Sequence, residues 1–258
     1  MRNTKLYVWT VLAVLSVTAP SVLADTTYTV TGSTTGGSVS GMAAFSVTAN
    51  GTIQVVLTNT ETLSSTTKWD DGQLISGIDF TLTTALTSTP TLTSGTGGLL
   101  TITNGQGGTP VSSSLVPDWG LIAGTSKTNV NLSTLNGGKP QAQIIGAANG
   151  PGGTWDVNAS VTQHNPNVVV DATFDISAPG VTTSTDLAAL LGSSVTFEFG
   201  TDPTNVTSTG CTQSGVTCGS VNVSEASSAD FLAADFGMLA LFVGFLYFRR
   251  RRISSARA

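Results

Sequence analysis

The sequence predicts an all-β body, an antiparallel β-sandwich, held between two apolar terminal segments. Three observations carry this. Threonine makes up about a sixth of the 258 residues, and its branched Cβ favours strands. Short runs of alternating apolar and polar residues recur through the middle of the chain, the period of a half-buried strand. Clusters of Gly, Asn and Pro punctuate those runs at short intervals.

At the N-terminus, Arg2 and Lys5 precede an apolar run from Leu6 to Val17, and Val22-Leu23-Ala24 then places small residues at minus three and minus one. This is the pattern of a signal peptide, 1–24, with signal peptidase as partner and cleavage between Ala24 and Asp25. The apolar run falls short of the roughly 20 residues a spanning helix needs.

The ectodomain is expected over 25–201. In "TIQVVLTN", 52–59, Ile53, Val55 and Leu57 share one face. In "GIDFTLT", 77–83, Ile78, Phe80 and Leu82 oppose Asp79, Thr81 and Thr83. "VVVDATFDI", 168–176, and "SVTFEFG", 194–200, repeat the pattern, the latter with Val195, Phe197 and Phe199 inward and Thr196 and Glu198 outward. Further strands are expected at 28–31, 43–48, 99–103, 141–145 and 154–161. Several short strands with turn signals between them fit a jelly-roll or immunoglobulin-like sandwich. One short helix is expected at "TDLAALLG", capped by Thr183 or Ser184 and closed by Gly192 as a left-handed residue.

A Ser/Thr/Gly-rich linker is expected over 202–230. It holds the two cysteines, Cys211 and Cys218, which in an exported chain are expected to form a disulfide. Residues 231–248 make an apolar segment of about 27 Å as a helix, just enough to span a bilayer. Asp235 falls in its first turns, where the helix dipole tolerates an acid. The tail 249–258 opens with Arg249, Arg250, Arg251 and Arg252, and such a cluster stays on the cytoplasmic side. The topology is therefore an ectodomain outside and a basic tail inside.

A signal peptide, a low-charge Thr/Ser/Gly ectodomain, a short span and a terminal Arg cluster together resemble the bacterial exosortase substrates, the PEP-CTERM surface proteins. Within the ectodomain, "AAFSVTANGTIQVVLTNT", "LISGIDFTL", "HNPNVVVDATFDIS" and "VTFEFGT" follow in an order similar to members of that group, across most of 40–201. The resemblance implies that the tail is a sorting signal, comprising Glu225 and Arg249 to Arg252, and that a membrane enzyme cleaves before the span and delivers the ectodomain to the cell surface. The usual Pro-Glu-Pro is absent, and "VSEASSADF", 223–231, stands in its place with Glu225 as its equivalent acid. A variant sortase, a rhomboid-like enzyme reading small residues near Ser227 to Ala229, and a permanent single-pass anchor all stay open.

Charge narrows the function further. Between the two terminal segments only Lys68, Lys127 and Lys139 face fourteen acids, a net charge of −11. Nucleic-acid binding needs clustered Lys and Arg against phosphate, so it is excluded as a partner class. The one histidine, His164, stands in "QHNPN", no serine sits in a Gly-x-Ser-x-Gly elbow, and neither a P-loop nor a dinucleotide fingerprint is present. No cofactor, metal site or catalytic role is expected. Asp70, Asp71, Asp79 and Glu198 are the acids to weigh for glycoside hydrolysis, which needs two facing carboxyls. Outward-facing, solubilising acids are the simpler account of them, and "WDDG", 69–72, lacks the acid spacing of an EF-hand. Trp69, Trp119 and Trp155 are candidate carbohydrate-binding residues, since an exposed indole stacks on a sugar ring, although large aromatics more often anchor a core. The function expected is that of an exported structural or adhesive surface component, with exopolysaccharide binding as the second reading and hydrolysis as the third.

Overall fold

The computed structural model describes residues 26–201, except 104–105, 108–109, 117 and 136–139, with the backbone of 204–209 and 212–213; side chains at 106–107, 193–194 and 204–213 are outside it. The signal peptide, Cys211, Cys218, Glu225, the span at 231–248 and Arg249 to Arg252 all lie outside the described residues.

Alternation builds the first three strands. β1 (Thr26–Thr34), β2 (Gly37–Ala49) and β3 (Thr52–Asn59) form a meander in which Val30, Val39, Phe45, Ile53, Val55 and Leu57 all turn to one buried face. The β2–β3 hairpin closes through Asn50-Gly51, where Gly51 takes φ 79°, a left-handed conformation glycine adopts without steric cost, after a register shift between Val47 and Ala49. β4 (Ile75–Leu82) and β5 (Thr91–Leu100) follow, then a two-stranded ribbon of β6 (Ile102–Thr103) and β7 (Gln106–Gly107). Short strands come next: β8 (Val111–Ser114), β9 (Gly120–Leu121), β10 (Asn129–Ser133) and β11 (Ile144–Ile145). The one-turn helix α1 (Ala159–Thr162) precedes β12 (Asn167–Ser177), and α2 (Leu187–Leu190) runs directly into β13 (Leu191–Phe199). β14 (Thr204–Thr209) and β15 (Thr212–Gln213) complete the described chain.

Apart from the ribbon, these strands make one 13-stranded sheet whose main path is β14-β13-β4-β11-β12-β3-β2-β1-β15. β10 and β9 branch from β4, and β5 and β8 branch from β12. The fold is all-β, as expected, but the sheet is mixed rather than antiparallel. Ile144 and Ile145 pair in parallel with Val168 and Val169. A parallel pair needs a long crossover, and residues 146–166 provide it.

The sheet curls over its own buried face. Phe45 of β2 stands edge-on to Phe80 of β4, with ring centroids 5.0 Å apart, although these strands are well separated along the sheet path. Tyr28 stands edge-on to Phe45 at 5.6 Å and donates its hydroxyl to the Gly192 carbonyl at 2.8 Å, joining β1 to β13. Gly41 on β2 leaves little room for a side chain, because a Cβ there would meet the Phe197 ring at 3.2 Å and the Ile75 methyl at 3.3 Å, and these would have to give way. A second, smaller core lies under the crossover, built from Trp69, Leu74, Leu100, Ile102, Ile145, Trp155, Val157 and Val161.

Other departures from the expected elements have local causes. Residues 154–161 belong to the crossover: Pro151 opens a 3-10 turn, Val157 makes a lone bridge to Trp69, and α1 follows. The expected strand at 141–145 is reduced to β11. At α2 the cap is Asp186, whose carboxylate accepts from the Ala188 and Ala189 N–H groups. Gly192 does not close that helix; it lies within β13. The strands also run on past residue 201, since β14 pairs with β13 and β15 with β1, so the first part of the expected linker belongs to the sheet.

Phe45 joins β1, β2 and β4 through ring contacts alone. Phe45→Ala is expected to lower the unfolding free energy by about 3–5 kcal/mol, measured by urea denaturation followed through tryptophan fluorescence.

Candidate functional site

The three candidate tryptophans, Trp69, Trp119 and Trp155, serve packing. Trp119 is 1% exposed, its indole N–H donates to the Ala142 carbonyl at 2.9 Å, and its ring lies 4.7 Å from that of Phe174. Trp155 donates to the Gly146 carbonyl at 2.9 Å. Trp69 is fully buried against Gly146, where a Cβ would come within 2.5 Å of the indole. The expectation of indole platforms for sugar rings is therefore corrected. Each indole supplies a large apolar area to the core it packs in.

The acids weighed in the sequence form two separate pairs. Asp70 caps and Asp71 opens the 3-10 turn Asp71–Gln73, where the Gly72 N–H donates to Asp70 Oδ1 at 3.2 Å and the Asp70 N–H donates to Gln73 Oε1 at 3.0 Å. Asn158 Nδ2 also donates to Asp70 Oδ2 at 2.8 Å, tying this corner to the crossover. Burial opposes charge on both carboxyls, but the bonds from Asp71, Asn158 and Gly72 outweigh it at Asp70 and hold it below the usual range. At Asp71 burial prevails, reinforced by Asp70, and the carboxyl titrates above that range. The pair is a hydrogen-bonded corner, and among the described residues no group of three or more His, Cys, Asp or Glu gathers to hold a metal.

The second pair, Asp79 and Glu198, lies on the face of β4 and β13 away from the core. Glu198 is not the outward, solvated acid the alternation predicts; it is 6% exposed. β13 is an interior strand, flanked by β4 and β14, and Glu198 sits opposite Gly77. The missing side chain makes the niche, since a Cβ at Gly77 would stand 2.1 Å from Glu198 Oε2. Ser133 on β10 donates to that oxygen at 2.9 Å. Burial raises the Glu198 carboxyl above the usual range and the Asp79 charge adds to this, while Ser133 and Asn131 oppose it. Burial raises Asp79 as well, opposed by Asn129.

His164 follows α1, with Nδ1 3.1 Å from the Pro140 carbonyl oxygen, and no catalytic serine system forms around it among the described hydrogen bonds. A groove of about 540 Å³ runs past Lys68, Thr103, Asp156, Asn158 and Thr162. Four of its polar side chains are engaged within the protein: Lys68 meets Asp156 at 3.4 Å, Asn158 donates to Asp70, and Thr162 donates to the Ala159 carbonyl. A cavity of about 380 Å³ between Leu86, Val181, Ala189 and Leu190 is largely apolar. Comparison with protein-family models, with curated proteins and with solved structures finds no match to this chain.

Two outcomes test the acid niche. Gly77→Ala is expected to destabilise the protein by about 1–3 kcal/mol through overpacking, read in the same denaturation assay. Because the Glu198 carboxyl titrates above its unfolded value, its contribution is present at pH below the unfolded pKa and is lost as pH rises through the folded one. Glu198→Gln should therefore melt at a higher temperature than the parent at neutral pH, with the difference closing on acidification, followed by calorimetry from neutral pH down through the carboxylate range.

Proposed function

We propose that this chain is the precursor of an exported bacterial surface protein, with a structural or adhesive role in the extracellular matrix. Residues 1–24 direct export, 231–248 hold the precursor in the membrane as a helix, and the Arg249 to Arg252 cluster stays cytoplasmic until an exosortase-like enzyme processes the tail near Glu225. The body is an antiparallel-dominated sandwich with one parallel pair. Its two layers are the strands that carry Phe45 and Phe80 to the same core.

One structural observation supports the functional reading: the three candidate indoles and Glu198 are buried in the fold. The indoles of Trp69, Trp119 and Trp155 are buried, and Glu198 is covered in its Gly77 niche. The same burial counts against exopolysaccharide stacking and against hydrolysis by a Glu198 acid. A disulfide between Cys211 and Cys218 would close a small loop between the body and the membrane.

Intact-mass analysis of the protein recovered from its host tests this reading. The expected product begins at Asp25 and lacks everything after about residue 225. A chain that keeps its C-terminus would instead be a resident single-pass anchor, and one that keeps residues 1–24 would overturn export.

A further inference from the structure

We propose that the β8 edge of the sheet is a homotypic docking surface, at which a second copy of this chain adds its own β8 antiparallel. On one side β8 pairs with β5, and among the described strands it has no partner on the other. Leu115 N–H donates to the Gly95 carbonyl at 2.8 Å, so the alternating ladder turns the backbone groups of Val111 and Ser113 toward β5 and leaves the N–H and C=O of Ser112 and Ser114 pointing outward.

Sheet edges are ordinarily protected by short length, charges, proline or bulges. This strand of four residues, Val-Ser-Ser-Ser between Pro110 and Pro117, is short but carries no charge, internal proline or bulge, and keeps regular register with β5 from Thr96↔Ser114 to Leu99↔Val111. The exposed large hydrophobic residues of the described surface are both here, Val111 at 67% and Val116 at 44%.

Charge selects a second copy as the occupant. Two copies, each with a net charge of −11 between the terminal segments, repel each other over most approaches. No residue between Asp79 and Asp118 is charged, and β5 and β8 both come from that stretch, so this edge is where like copies meet without placing acids strand to strand. The edge is also self-complementary. A two-fold axis through Ser113 sets Ser112 of each copy opposite Ser114 of the other, and every outward N–H and C=O of the pair then finds a partner.

Sedimentation velocity on the full chain, in mild detergent and over a wide range of concentration, tests this. The parent is expected to dimerise reversibly. Ser112→Pro removes an outward donor without touching the β5 ladder, and Val111→Lys places a charge on the edge. Each should raise the dimer dissociation constant by about tenfold or more while leaving the melting temperature nearly unchanged. Ser113 faces its own copy across the axis at a Cα separation of about 4.5 Å. On oxidation, Ser113→Cys should therefore yield a disulfide-linked peptide pair joining position 113 of one copy to position 113 of the other, identified by mass spectrometry. A parent that stays monomeric, a dimer indifferent to both edge variants, or an edge that pairs only with a foreign extended peptide would each overturn the proposal.

Discussion

The contact of Phe45 with Phe80 is the constraint on which the rest of the molecule depends. The two rings meet at 5.0 Å although β2 and β4 are separated along the sheet by β3, β12 and β11. A sheet that brings such strands face to face must bend strongly along its path. The two-residue β11 sits at that place: it is short enough to let β4 and β12 diverge, yet it pairs with both through Ile144. Its two isoleucines divide the labour, with Ile144 in the main core and Ile145 in the smaller one.

That division explains the crossover. A parallel partner for β12 obliges the chain to travel the length of the strand before it pairs. The travelling segment cannot lie bare on Ile145 and Val169, so it brings Trp155, Val157 and Val161 to cover them, with Trp69 beneath. Gly146 is needed at the start of this path because the Trp69 ring occupies the space of its Cβ. The Asp70 and Asn158 bond then closes the outer side of the same layer, and the acid corner is part of the scaffold for this reason.

The main strands were legible because one face of each is buried and the other is not. In β3 the buried and half-exposed residues alternate without interruption, and the sequence range 52–59 coincides with the strand. Legibility fails where burial has two sides. At Glu198, alternation correctly separates the acid from Phe197 and Phe199 but cannot reveal that the opposite face is also covered. That information lies in Gly77 and Ser133, 121 and 65 positions away. The strand at 204–209, "TNVTST", has almost no apolar face to announce it, and its pairing with β13 is a property of the sheet edge rather than of its own pattern. The crossover was hidden for the opposite cause: "TWDVNASV" alternates well enough for a strand, but its backbone is claimed by the Trp69 bridge and by α1.

The distribution of hydroxyls follows from the same two-sidedness. Across β8, β5, β12, β3, β2 and β1 the residues Ser114, Thr96, Thr173, Val56, Ala44 and Thr27 stand in one cross-strand row, each paired with the next and none of them charged. Asp175, which borders this row, is held by its neighbours: Gln54 and Ser94 each donate to one of its oxygens, at 3.0 and 2.8 Å. The outer face is therefore rich in hydroxyls, with Asp175 engaged across strands and Asp171 exposed on the same side of β12.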